Sequence, residues 1–352
     1  MLAVSSTAAT MQVLVVSESE VETLLTMGEC IEVMERALAS LARGEFFQPL
    51  RSAIRPPGAQ GLLGLMPAYS GPRSSVLGPR SNAGGGETED RGPRTEDISY
   101  FGLKEVCVFP GNPARGLDTH LGTVLLHSGE TGELLAVMNA SAITAIRTAA
   151  VSAVATKLLA REDAKNLAII GAGVQARSHL EAIPLVRKIE RVCVYSRTRS
   201  HAEQLDAEVA DSVEAAVRDA DIIVTTTNSK DPILRREWIK PGTHINAVGS
   251  SIATAREIDS ATMAASSLFV DRRESTINES GDYLFALREG AIKETHIRGE
   301  IGDILIGKTS GRASPHEITL YKSLGLAAED LASAVFIFDK VKRQGGGTFV
   351  EF

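Results

Sequence analysis

The 352 residues are 43% hydrophobic and 23% charged, an ordinary globular mixture long enough for two domains with a core each. The formal charge of -7, with no lysine- or arginine-rich run to offset it, argues against a nucleic-acid partner. Cys30, Cys107 and Cys193 are scattered and form no Cys-x-x-Cys pair, which speaks against a disulfide framework or structural zinc and fits a reducing cytoplasm.

Met1 to Thr10 lack the basic start and apolar middle of a secretory signal and read as a disordered extension or a start-site artefact. Gln12 to Val16 is strand-like. From Ser17 the apolar positions Val21, Leu24, Leu25, Cys30, Ile31, Met34, Leu38 and Leu41 recur near the helical period, with Gly44 as a stop. Short strands follow at Arg51 to Ile54 and Leu62 to Met66, separated by Pro56-Pro57-Gly58. The stretch Gly71 to Asp97 is mostly Gly, Pro, Ser, Arg and acid, with almost nothing to bury, and reads as a flexible surface insertion. Strands resume at Phe101 to Phe109 and Gly122 to His127, and Thr131-Gly132 predicts a hairpin turn into Leu134 to Met138. An alanine-rich helix is expected over Ser141 to Leu159. No uninterrupted apolar run reaches the roughly 18 residues of a membrane span, so no membrane partner is expected.

From Asn166 strands and helices alternate. Strands are expected at Leu167 to Ile170, Arg191 to Tyr195, Asp221 to Thr225, Thr243 to Val248 and Ser267 to Val270. Helices are expected at Gln175 to Val186, Ser200 to Val209 and Val213 to Arg218. This alternation predicts right-handed crossovers and a parallel sheet.

Gly171-Ala172-Gly173-Val174-Gln175-Ala176 directly follows an apolar strand and opens a helix, the context a dinucleotide turn requires. Gly171 makes the tight turn, and Gly173 lets the backbone approach a pyrophosphate on the helix N-terminus. An NAD enzyme usually carries Asp or Glu at the end of the next strand, and here there is none. Ser196, Arg197 and Thr198 stand there instead, two hydroxyls and a guanidinium suited to an adenosine 2′-phosphate. NADP(H) is therefore expected over NAD(H). No His-x-x-x-His spacing points to a metal and no Gly-x-Ser-x-Gly elbow points to a nucleophile.

Six segments together resemble one family: Gly64 to Ser70, Ala136 to Met138, Ile143 to Ala150, Ile169 to Gln175, Pro241 to Gly249 and Tyr321 to Gly325. In this order the chain is similar to the ornithine cyclodeaminase/mu-crystallin family, except in its leading extension and the Gly71 to Asp97 insertion. The resemblance implies an α/β fold: a Rossmann dinucleotide-binding domain, residues 132–317, plus an α+β substrate-binding and dimerisation domain built from both chain ends, residues 11–131 and 318–352. It implies a homodimer. It also implies that Arg51 and Arg147 clamp a substrate carboxylate, with Arg55 a competitor for the place of Arg51, and that Lys104 lies against the carboxylate or the reacting nitrogen. Thr123, Thr148, Val174, Gln175, Val248 and Ser323 line the dinucleotide cleft by the same resemblance.

Two departures carry chemical information. Ornithine cyclodeaminases have a glutamate where this chain has Gly64, and a general-base aspartate where it has Ser251. Oxidising an amino acid requires a base for its ammonium proton, and serine is a poor one. Reducing a ready-made imine needs only hydride, a carboxylate clamp and a proton donor. The expectation is an NAD(P)H-dependent oxidoreductase, a ketimine reductase of the mu-crystallin branch acting on pyrroline- or piperideine-2-carboxylate. The alternatives are a cyclodeaminase or alanine dehydrogenase using another acid, such as Asp282 in a capping loop, and an NADPH-dependent small-ligand-binding protein.

Overall fold

The computed structural model describes residues 11–71 and 98–352; the leading extension and positions 72–97, most of the expected insertion, lie outside the described residues. The first part of the chain runs β1 (Gln12–Val16), α1 (Glu18–Leu24), α2 (Met27–Ala42), β2 (Phe46–Phe47), β3 (Ser52–Ile54), β4 (Leu62–Ser70), β5 (Tyr100–Val108), β6 (His120–Ser128), β7 (Leu134–Asn139) and α3 (Ala140–Leu159). The single helix expected from Ser17 is two, because Thr26 and Glu29 form a reciprocal capping box that starts α2 afresh. Gly132, with φ +77, makes the turn between β6 and β7.

The middle part runs β8 (Asn166–Ile170), α4 (Val174–Ala182), β9 (Arg191–Tyr195), α5 (Arg199–Ala202), β10 (Glu208–Val209), α6 (Val213–Val217), β11 (Ile222–Thr225) and β12 (His244–Ala247). It continues through α7 (Ser260–Ala265), β13 (Ser266–Val270), α8 (Arg273–Glu279), α9 (Gly281–Arg288), β14 (Ile297–Glu300), α10 (Ile301–Leu305) and β15 (Ile318–Lys322). The chain closes with α11 (Ala327–Gln344) and β16 (Thr348–Glu351). Two helices are shorter than their apolar pattern suggested. The one after the glycine turn gives way to a 3-10 turn at Ile183–Leu185, where Pro184 has no amide to donate. The helix expected over Ser200 to Val209 is only α5, since Glu208 and Val209 pair with Cys193 and Val194 at the sheet edge.

Two sheets result. The first has the order β16-β1-β7-β6-β5-β4-β2 with β3 beside β4, and takes its strands from both chain ends. The second, β10-β9-β8-β11-β12-β15-β13-β14, is parallel at every pairing. The division expected from the resemblance shifts at both borders. β7 stays in the first sheet, because its short hairpin keeps it antiparallel to β6. β15 lies in the second sheet, parallel to β12 and β13.

One apolar core joins the first sheet to α2, α3 and α11, while two others cover the faces of the second sheet. Helix α3 is long and apolar enough to cross a membrane by length and composition, yet 72% of that window is buried within the protein. Asn139 starts it by accepting a hydrogen bond from the Ala142 amide, and its alanines let α2 and α4 pack closely. Strand order reverses between β8 and β11, which opens a crevice outside the C-terminal end of β8.

Candidate active site

That crevice begins at Gly171. Its φ of +120 is open only to glycine, and a Cβ there would lie 2.5 Å from Thr226 Oγ1 and 2.8 Å from the Thr226 carbonyl. Gly173 is the N-cap of α4, and a Cβ on it meets nothing within 4 Å. The first glycine is therefore required by the protein itself, whereas the second faces open space at a helix N-terminus, where a pyrophosphate fits. Val174, 62% exposed, is the first residue of that helix. Gln175 donates Nε2 to the Thr144 carbonyl at 3.4 Å, while its buried Oε1 has no partner among the described residues.

At the end of β9, Ser196 Oγ accepts the Thr198 amide at 3.3 Å, and Arg197 and Thr198 are exposed. Arg197 has no ion pair among the described residues. Val248 and Ser323 follow β12 and β15 and are buried by amide bonds to the Thr225 and Ala247 carbonyls. Thr148 is buried in α3. Thr123 corrects the expectation that it lines the cleft. Side chains alternate along β5, so Glu105 points to the sheet face opposite Lys104, and Thr123 donates to Glu105 at 3.0 Å on that far face.

Lys104 and Arg147 are brought together from β5 and α3. Lys104, 4% exposed, sets Nζ 2.7 Å from Asp330 Oδ2 and 3.5 Å from Thr144 Oγ1. Arg147 donates Nε to Asp330 Oδ1 at 3.1 Å and Nη1 to Glu329 Oε2 at 2.8 Å. Both acids lie in the first turn of α11, so one carboxylate, Asp330, holds two cations in register. Gly325 has φ +78, and a Cβ there would lie 2.5 Å from Arg147 Nη1, so the backbone passes flush against the guanidinium.

Burial governs the protonation of this cluster. It pulls the Lys104 pKa down to about 8 even though Asp330 opposes the shift. It pushes Glu329 up to about 7 against the attraction of Arg147. Burial also works against the Arg147 charge, but Asp330 and Glu329 outweigh it and hold the guanidinium above its usual pKa.

Arg51 precedes β3 and reaches across to the second sheet. Its Nε is 3.1 Å from Glu279 Oε2, its Nη2 donates to the Ser251 carbonyl, and its Nη1 donates to the Leu324 carbonyl at 3.4 Å. The Leu324 and Gly325 amides donate to buried Asp271 at 2.6 and 2.8 Å. The 324–325 backbone thus runs between Arg51 and Arg147, and Arg55 is left exposed. Asp282 is no lid residue: it is 1% exposed in the first turn of α9. Sequence reasoning missed Glu329, Asp330, Asp271 and Glu279. The two acids of α11 carried a signal, since Glu329-Asp330 follows the Tyr321 to Gly325 motif by four residues.

A model of the ornithine cyclodeaminase/mu-crystallin family matches residues 92–345. The chain is 35% identical over 350 residues to a Delta(1)-pyrroline-2-carboxylate reductase of Bacillus cereus, covering 96% of this chain and 100% of the relative. It is 37% identical over 318 residues to the ketimine reductase mu-crystallin of Mus musculus, covering 88% and 91%. Among solved structures, Thermococcus litoralis Delta(1)-pyrroline-2-carboxylate reductase in complex with NADH and L-proline superposes with a TM-score of 0.86 at 37% identity, covering 96% of this chain and 100% of that one.

Proposed function

Because the chain belongs to the ornithine cyclodeaminase/mu-crystallin family, we propose that it is an NAD(P)H-dependent reductase of cyclic imino acids and ketimines of the pyrroline- or piperideine-2-carboxylate type. The observation that carries this reading is the buried Lys104–Arg147 pair and its link to the glycine turn. Thr144 takes a bond from Lys104 on its hydroxyl and from Gln175 on its carbonyl, so the cationic cluster adjoins the dinucleotide crevice.

The reaction adds a hydride to the imine carbon and a proton to its nitrogen. The Gly171 to Gln175 turn would hold a reduced nicotinamide dinucleotide, which when bound would supply the hydride. Arg147 and Arg51 hold the substrate carboxylate, Arg51 turning from the carbonyls it now meets. Lys104 delivers the proton to nitrogen and recovers one from solvent. With a pKa of about 8 it is chiefly ammonium at neutral pH yet yields a proton far more readily than an exposed lysine. Glu329, raised to about 7, takes up a proton as a second carboxylate enters and limits the repulsion. Ser251 gives its carbonyl to Arg51 and has no carboxylate to serve as base for an amino-acid ammonium, which favours imine reduction over deamination.

NADPH is the preferred donor in this reading, because Arg197 makes no ion pair among the described residues and no Asp or Glu ends β9. The chain pairs as a homodimer through the outer face of the first sheet. There the tilted rings of Tyr69 and Phe101 lie 4.9 Å apart between centres and Phe101 is 50% exposed, with Leu121 exposed on the same face at the far end of β5, opposite Cys107. Sedimentation equilibrium giving a monomer mass would overturn that pairing.

The deciding experiment follows NADPH and NADH oxidation with pyrroline-2-carboxylate and piperideine-2-carboxylate, with L-ornithine as a control for ammonia. NADPH consumption without ammonia supports the reading. Ammonia from ornithine would refute it, because some other acid would then be acting as base. Lys104→Ala should cut turnover by about a hundredfold or more while leaving nucleotide affinity nearly unchanged.

A further inference from the structure

Beneath the cleft lie three buried charged groups that the reaction as described does not use. Glu257 precedes α7, Lys322 ends β15 and Asp282 stands in the first turn of α9; they are 0%, 0% and 1% exposed. Glu257 Oε1 accepts the Thr227 amide at 2.6 Å and the Thr227 hydroxyl at 2.7 Å, and its Oε2 accepts the Thr225 hydroxyl at 2.7 Å. Lys322 Nζ donates to the Gly249 carbonyl at 2.8 Å and pairs with Asp282 Oδ2 at 2.9 Å. Asp282 Oδ1 in turn accepts the Glu257 and Ile258 amides at 2.8 and 2.9 Å. The three groups form one connected network.

What the network grips is specific. Thr227 follows β11 and Gly249 follows β12, adjacent central strands whose C-terminal ends border the crevice. Thr227 also accepts the Ser250 amide on its carbonyl at 3.0 Å and the Ser229 amide on its hydroxyl at 3.2 Å. Ser250 has φ +48, the only non-glycine residue with positive φ among the described residues, a conformation that persists only where its surroundings over-determine it. A Cβ on Gly249 would lie 2.1 Å from the Thr227 carbonyl and 2.6 Å from Glu257 Oε1, so the turn is pressed directly onto the buried carboxylate. The next residue, Ser251, gives its carbonyl to Arg51.

We propose that Glu257 and Lys322 are positioning residues that lock the 226–229 and 249–251 turns together and so aim the Ser251 carbonyl at Arg51, setting the wall of the cleft where the imine is reduced. Both are fully buried, and their partners are protein groups. Their action runs through Thr227 and Gly249 to Ser250, and from Ser251 to Arg51. The inference rests on the proposed reaction for its kinetic consequence, but its structural half stands without it.

The test uses the full chain with Glu257→Ala, its conservative control Glu257→Gln, and Thr227→Val, which removes the two bonds of the Thr227 hydroxyl, to Glu257 and from the Ser229 amide, keeps the Thr227 amide bond to Glu257, and is a milder change should the alanine variant not fold. The amide in Glu257→Gln can still accept from Thr227 and donate to the Thr225 hydroxyl. Hydrogen exchange is read first. Amides 227, 229 and 250 should exchange at least tenfold faster in Glu257→Ala; in Thr227→Val amide 229, whose acceptor is removed, should speed up as well, and amides 227 and 250 less so. Those of 171–173 should not change, and Glu257→Gln should restore protection. Unchanged protection at 227–250 in both disruptive variants overturns the proposal. Kinetics then use NADPH and pyrroline-2-carboxylate. Turnover should fall at least tenfold in Glu257→Ala with the NADPH dissociation constant within threefold, and recover in Glu257→Gln. Loss of NADPH binding in step with turnover also overturns it, since the network would then serve the nucleotide fold at large. Should the unaltered protein not reduce the imine, the proposed reaction fails, and the exchange data alone decide on the network.

Discussion

Replacing Asp330 by asparagine tests the central electrostatic argument, because one carboxylate holds both cations of the site. Its Oδ2 lies 2.7 Å from Lys104 Nζ and its Oδ1 3.1 Å from Arg147 Nε. At an effective dielectric of about 20 the first contact alone is worth about 6 kcal/mol of direct attraction. Asparagine keeps one acceptor oxygen, enough for only one of the two cations, and the neutral amide still carries a dipole, so roughly a third of that attraction, about 2 kcal/mol, is a modest figure for the loss. At 1.36 kcal/mol per unit this lowers the Lys104 pKa by about 1.5, from about 8 in the native cluster. The acting form of Lys104 is the ammonium, so activity holds below its pKa and declines above it. The rate constant kcat/KM, measured from pH 5.5 to 9.5 with NADPH and pyrroline-2-carboxylate, should decline above about pH 8 in the native protein. In Asp330→Asn the decline should begin near pH 6.5, so that at pH 7.5 the variant has lost about tenfold against its own plateau. Breaking a buried pair should also lower stability by about 3–5 kcal/mol, read from urea unfolding at an unchanged m value. An alkaline limb at the same pH in both proteins would refute the assignment of Lys104 as the proton donor held by Asp330.

Gly171→Ala combines a forbidden φ with a Cβ 2.5 Å from Thr226 Oγ1; strain of about 3 kcal/mol should weaken NADPH binding about a hundredfold. Fluorescence titration giving native affinity would remove this turn from the dinucleotide site. Arg197→Ala should raise the KM for NADPH by about tenfold or more, the worth of a charge-assisted bond, and leave that for NADH unchanged. Equal changes for both nucleotides would sink the 2′-phosphate contact. Burial drops the pKa of His179 to about 4 and of His244 to about 3 from an unfolded value near 6.5. The unfolded chain therefore binds more protons below pH 6.5, and stability present above that pH is lost as pH falls toward the folded values. Urea unfolding should show roughly 3 kcal/mol lost per histidine by pH 4.5, and a pH-independent midpoint across that range would contradict it.

The sequence alone determined the local features. An apolar strand, two glycines and a helix start lie within ten residues, and the glycine φ of +120 at position 171 is a local steric demand that only that residue type meets. The parallel second sheet was legible from the strand–helix alternation, whereas Lys104 and Arg147 were singled out only by the family resemblance. Tertiary structure decided what those cations meet. Asp330 is 183 positions from Arg147 and Leu324 is 273 from Arg51, and no local period reports contacts at that range. Thr123 was misplaced because the face a strand residue occupies follows from register against β5, not from its own neighbours. The same holds for β7 and β15, whose sheets were settled by which strands they could pair with once the chain had folded back. Glu329 and Asp330 lie in the first turn of α11 and were not singled out from the sequence. They act as counter-ions because α11 packs its N-terminus onto the inner face of the first sheet, where burial makes each charge depend on its partner.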